Sequence, residues 1–211
     1  MKHMLHVCFC VVLFIASSVS AFAYWPVLDQ HYLSEQTQLE AIVRENPQNL
    51  DSRFDLGMQY AYTGWVEHAW KQLKYINDTD KTFKQKKLID LKKQLKKAPE
   101  DWRVNFKIAF AYFFNDQKQD ALNAMLRAHH LKPENAFIMG FVGLLYGEQK
   151  KYDQSIKWAK RGLKLEPYST ALHFLLAEAF LRKGNYFAFT GESIRVLAAK
   201  AGEKKYGPKG P

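Results

Sequence analysis

Three prolines set the strongest constraint on this chain. Pro99, Pro133 and Pro167 are separated by 34 and 34 residues, in the related contexts "KAPEDW", "LKPENA" and "LEPYST". A fixed period of this length points to a repeated supersecondary unit. Nine residues past each proline stand Ile108, Val142 and Leu176; ten past stand the small residues Ala109, Gly143 and Ala177; thirteen past stand Tyr112, Tyr146 and Phe180. Twenty-two past come Ala121 and Ser155, then Phe189, which departs from the pattern. Pro47 opens a further copy by the same offsets, with Leu56, Gly57, Tyr60 and Ala69, and about 18 extra residues follow that copy before Pro99.

Each copy reads as two helices of 12 to 15 residues joined by a short turn such as "FNDQKQ", "YGEQKKY" or "RKGNY", where Gly or Asn can take the left-handed conformation that ends a helix. A glycine inside a helix costs about 1 kcal/mol against alanine, so Gly57 and Gly143 imply close helix packing. One such hairpin cannot bury its own apolar face, but stacked hairpins can. The chain therefore resembles the tetratricopeptide repeats from Pro47 to Ala201, most strongly in "KKYDQSIKWAKRGLKLEP". It departs from them in having no tryptophan at the usual place in the first helices and no proline closing the first or last copy. The resemblance implies an all-α, right-handed α-solenoid of about four repeats: 47–80, 99–132, 133–166 and 167–201. Before them, "LSEQTQLEAIVREN" predicts a capping helix from Glu35 to Arg44 within segment 24–46, with Ser34 as N-cap. After them, "GEKKYGPKGP" (202–211) predicts a disordered tail.

The stretch "NFKIAFAYFFND" carries too many rings for one helical stripe. At 100° per residue, Asn105, Ile108, Ala109 and Tyr112 share one face, while Phe106, Phe110 and Phe113 share another about 120° away. In proteins that this chain resembles, the second face lines the concave groove. The same face carries Phe54, Met58 and Tyr62 in the first copy, Phe137 and Phe141 in the third, and Phe174 in the fourth. These rings suit an apolar or amphipathic protein segment, with Arg103 and Lys107 placed to hold an acidic group. The carboxylate clamp of chaperone-tail-binding relatives is not supported, because its positions here hold Phe106, Phe110, Phe141, Ala171 and Leu175. Three fates remain open for the rings: an open partner groove, a groove filled by the chain's own "YWPVLDQHYL", or a second core.

Residues 1–23 have the form of a secretory signal, with Lys2, an apolar run of ten residues and a small-x-small ending at Ala21 and Ala23. Cleavage before Tyr24 would leave an exported (periplasmic or secreted) chain; a retained anchor is the alternative. Cys8 and Cys10 both lie in this segment, so the mature chain has no disulfide, thiol nucleophile or cysteine-held metal. Its thirty basic and 21 acidic residues leave +9, which favours anionic partners.

The interruption "DKTFKQKKLIDLKKQLKK" holds eight lysines and two aspartates, with Phe83, Leu88, Leu91 and Leu95 at helical spacing. It predicts a basic amphipathic helix over 81–98. Either its leucines dock on neighbouring repeats, or it meets an anionic membrane surface as a cell-envelope adaptor. Nucleic acid fits poorly, because no aromatics or arginines interleave the lysines. No phosphate-binding glycine loop, H-E-x-x-H pair or G-x-S-x-G elbow occurs. His129 and His130, adjacent on a helix, point apart and read as solvent-facing or helix-end residues. The expectation is a non-catalytic interaction scaffold without cofactor or metal, its oligomeric state open, against the alternative of an enzyme with an unrecognised site.

Overall fold

A computed structural model describes residues 30–206. The signal-like segment 1–23, the segment 24–29 and residues 207–211 lie outside the described residues. The described chain is helical throughout: α1 (Gln30–Glu45), α2 (Leu50–Tyr62), α3 (Val66–Thr79), α4 (Phe83–Lys97), α5 (Trp102–Phe114), α6 (Lys118–Leu131), α7 (Ala136–Glu148), α8 (Tyr152–Leu165), α9 (Thr170–Arg182) and α10 (Tyr186–Tyr206). The four copies hold the hairpins α2–α3, α5–α6, α7–α8 and α9–α10, the last helix running past the end of its copy. The capping helix α1 is longer than expected. Residues 202–206, expected in a disordered tail, continue α10.

Three chemical details recur at fixed distances from each repeat's opening proline. Two residues on, Asn49, Asp101, Asn135 and Ser169 cap the first helix, each accepting from a backbone N–H within it. Such a cap contributes about 1 kcal/mol over alanine. Six residues on, a side chain reaches back to the proline carbonyl in three of the four copies. The pairs are Arg53 Nε to Pro47 at 2.6 Å, Asn105 Nδ2 to Pro99 at 2.9 Å, and His173 Nε2 with Pro167 at 2.9 Å. Met139 occupies this place in the third copy.

Seventeen residues on, the hairpin turn takes a left-handed backbone at Gly64 (φ 94°), Asp116 (φ 63°), Lys150 (φ 61°) and Gly184 (φ 79°). Turn chemistry points to Gly147 or Asn115 for this role, yet the geometry falls on Lys150 and Asp116. A left-handed conformation costs a side-chain-bearing residue about 1–2 kcal/mol, and glycine returns about 0.5–1 of that in chain entropy. Lys150→Gly is therefore expected to raise stability by about 0.5–1 kcal/mol, read as an upward shift of the urea midpoint.

The stack runs without interruption from α4 to α10, each helix packed on the next. The inserted helix α4 packs on α5 as α6 packs on α7 and α8 on α9. It thus holds the place of a preceding repeat's second helix. The sequence assigns that place to α3, which barely touches α4. With its seat taken, the first hairpin turns onto the concave side. There α2 meets the start of α7, and Asn135 Nδ2 donates to the Tyr62 carbonyl at 3.0 Å.

Candidate partner-binding surface

The concave surface is built from one face of each repeat's first helix, as the helical spacing requires. The turned-in hairpin changes what that surface faces. Phe54, Met58 and Tyr62 of α2 are buried, and so are Phe106 and Phe110 of α5. Tyr62 meets Trp102 edge-on at 5.1 Å and Phe106 at 5.6 Å; Phe106 meets Phe110 at 5.1 Å and Phe141 at 5.5 Å; Phe110 meets Phe141 at 4.7 Å. Edge-on pairs at such distances contribute about 0.5–1.5 kcal/mol beyond area burial. Phe54 lies 6.1 Å from Phe83 of α4. Phe113, Phe137 and Phe141 are half-buried, and Phe113 touches Phe114 at the margin of the cluster.

Of the three fates open to the rings, burial within the chain holds for Phe54, Met58, Tyr62, Phe106 and Phe110, while Phe113, Phe137 and Phe141 stay half-buried. Tyr62, Phe106, Phe110 and Phe141 form one aromatic cluster between α2, α5 and α7, and Phe54 packs separately on Phe83. Phe174, 60% exposed on α9, stands apart. The physical reason for the burial is the insertion, since α4 occupies the stacking seat and leaves the ring-bearing face of α2 to be buried against the ring-bearing face of α5. The expected filler, "YWPVLDQHYL", is described only from residue 30 onward. Within it, Tyr32 packs on Tyr62 at 6.0 Å, and its carbonyl accepts from Gln59 Nε2 at 3.0 Å.

Arg103 and Lys107 each hold an acidic group, but one from this chain. Lys107 Nζ lies 2.6 Å from Asp55, and Arg103 lies 3.4 Å from Glu35. Arg103 also stands over Trp102 at 4.8 Å. A shallow cleft of about 200 Å³ between α1, α2 and α5 includes both cations, Glu35, Asp55 and Tyr62 in its lining. Burial drives the Tyr62 phenol well above its ordinary range, so the hydroxyl stays protonated and donates to Gln59 Oε1.

The lysine-rich helix spends its apolar side on the fold. Phe83, Leu88 and Leu91 are buried, Lys87 reaches Asp51 at 2.6 Å, and Ile89 is its one well-exposed apolar side chain. The remaining lysines of α4 face solvent. An amphipathic membrane helix needs a free apolar face, which α4 does not offer. Among the described residues no helix is long and apolar enough to cross a membrane, and no group of three or more His, Cys, Asp or Glu is placed to hold a metal. His129 and His130 stand in the last turn of α6 as helix-end residues, with His130 exposed; the His129 ring packs edge-on against Trp158 at 4.9 Å beside Arg161, and burial lowers its basicity. His173 bridges Glu192, at 2.7 Å, and the Pro167 carbonyl.

Sequence reasoning missed the apolar surface of the last hairpin. Phe187, Ile194 and Leu197 are 93%, 57% and 71% exposed, and Tyr186 is 68% exposed. These four fall within an arc of about 100° on α10. Phe187 stands where the earlier copies have Gln119 and Asp153, both exposed polar residues. The 34-residue alignment held this signal, because an apolar residue replaces a polar one at a solvent position.

Together the hairpins and their concave surface define a tetratricopeptide-like α-solenoid. No family model matches the sequence, and no curated protein matches it. Solved structures titled as MamA are similar in shape. A crystal structure of MamA has a TM-score of 0.48 and 19% identity, covering 83% of this chain and 92% of that one. MamA AMB-1 gives 0.48 and 17%, covering 85% and 90%, and a MamA RS-1 double mutant gives 0.49 and 14%, covering 82% and 86%.

Proposed function

We propose that this protein is a non-catalytic interaction scaffold that holds an apolar or amphipathic segment of another protein against its last hairpin. One observation carries the reading: α9 and α10 expose Phe174, Leu181, Tyr186, Phe187, Ile194 and Leu197 while the rings of the concave surface are engaged within the chain. An exposed apolar stripe such as the one on α10 marks an interaction site, and a helix laid along it would read one residue per turn. The signal-like form of residues 1–23 supports a role outside the cytoplasm.

Phe187→Asp combined with Leu197→Asp tests the reading. Both side chains are exposed, so the unfolding free energy from urea titration is expected to stay within about 0.5 kcal/mol of the parent. Proteins captured by the parent chain from extracts of its own cells are expected to be lost. Undiminished capture by the double variant would remove α10 from the docking surface. A large fall in stability would show that these residues are structural.

A further inference from the structure

The boundary between the first three helices and the rest of the stack is charge-complementary throughout. Residues 30–79 hold seven acidic and four basic residues, whereas residues 83–206 hold twelve acidic and twenty-four basic ones. Four ion pairs cross this boundary among the described residues, with the acid on the α1–α3 side in every one. They are Asp51 with Lys87 (2.6 Å), Asp55 with Lys107 (2.6 Å), Glu35 with Arg103 (3.4 Å) and Glu67 with Lys200 (2.6 Å). Lys87 is buried and the other paired groups are partly or well exposed; exposed pairs add little stability one by one, but a uniform sign pattern selects partner and register. Only Asp80, Lys81 and Thr82 separate α3 from α4, and the two helices barely touch across them.

We infer that α1–α3 is an exchangeable module, and that the concave surface of α4–α7 accepts the same module from a second copy of this chain. This surface is distinct from the α10 stripe, and its role as a site for a second copy does not depend on the scaffold reading. A foreign helix would have to replace the whole burial of Phe54, Met58 and Tyr62 against Phe83, Phe106 and Trp102. A second copy's module remakes each of those contacts and each of the four ion pairs. Exchange through the three-residue hinge is then opposed only by the cost of association, which protein concentration offsets. The rings and cations of the concave surface are thereby a self-recognition site, complete in cis in the monomer and in trans in the exchanged dimer.

Complementary charge reversal tests this directly. One full-length pool carries Asp51→Lys with Asp55→Lys, and the other carries Lys87→Glu with Lys107→Glu. Alone, each pool faces like charges across the boundary and is expected to stay monomeric with a lowered melting temperature. Mixed, each pool's module finds opposite charges on the other pool's stack. The mixture should therefore yield a 1:1 species of doubled mass in light scattering, with its melt returned toward that of the unaltered chain. A mixture that remains two monomers with two unchanged melts overturns the proposal. Should either pool fail to fold alone, unaltered chains bearing two different tags, unfolded and refolded together at high concentration, must give a dimer that co-purifies on both tags. Recovery of monomer alone again overturns it.

Discussion

Phe106→Ala is expected to lower stability by about 3–5 kcal/mol, the range for deleting a fully buried phenylalanine. The ring has no exposed surface and lies within 5.6 Å, centroid to centroid, of Tyr62, Phe110 and Phe141. Truncation leaves a cavity bounded by α2, α5 and α7, and the flanking rings cannot collapse into it without breaking contact with each other. Phe174→Ala supplies the contrast. That ring is 60% exposed, and its loss is expected to cost no more than about 0.5 kcal/mol. Urea titrations followed by helical circular dichroism measure both. Equal midpoints for the two variants would mean that Phe106 faces solvent and that the first hairpin does not cover it.

Gly64→Ala is the second large effect, with an expected loss of about 2–4 kcal/mol. Two costs act at one atom. At φ 94° the backbone disfavours a side chain, and a Cβ built there would sit 2.3 Å from Phe137 Cζ. Phe137 is fixed at the start of α7, where Asn135 caps the helix and donates to the Tyr62 carbonyl. The ring must swing away to make room, which disturbs the contact between the first hairpin and the third repeat. Combining Gly64→Ala with Phe137→Ala separates the costs. Relief of the clash should make the pair less damaging than the sum of the single losses. Strict additivity would show that the ring and the turn do not meet.

Much of the architecture was legible because it depends on local chemistry repeated at one period. The offsets from Pro47, Pro99, Pro133 and Pro167 fix which residues face a neighbouring helix, and those positions are buried or half-buried as the period requires. The caps at Asn49, Asp101, Asn135 and Ser169 were equally open to reading, since an acceptor side chain stands two residues after every opening proline. Lys150 could not have been anticipated as a left-handed turn residue, because its side chain has no preference for that conformation; only register with Gly64, Asp116 and Gly184 places it there. The orientation of the first hairpin was hidden for a different reason. Periodicity says which faces of α2 are apolar, and both of them are. It does not say which meets the stack, and that is decided by α4 arriving first at α5. The rings that look free on a helical wheel of α5 are accordingly covered from 40 to 50 residues earlier in the chain.

Linear repeat arrays unravel from their ends, because each unit leans only on its neighbours. This one is laced shut. Asn135 bonds to the Tyr62 carbonyl 73 residues away, and Lys200 reaches Glu67 across 133. The outermost turns are thereby tied to the middle. Amide protons in α2 should exchange only when α1–α3 lifts off as a unit, without fraying from the chain end, and the chain should acquire its fold more slowly than an open array of equal length.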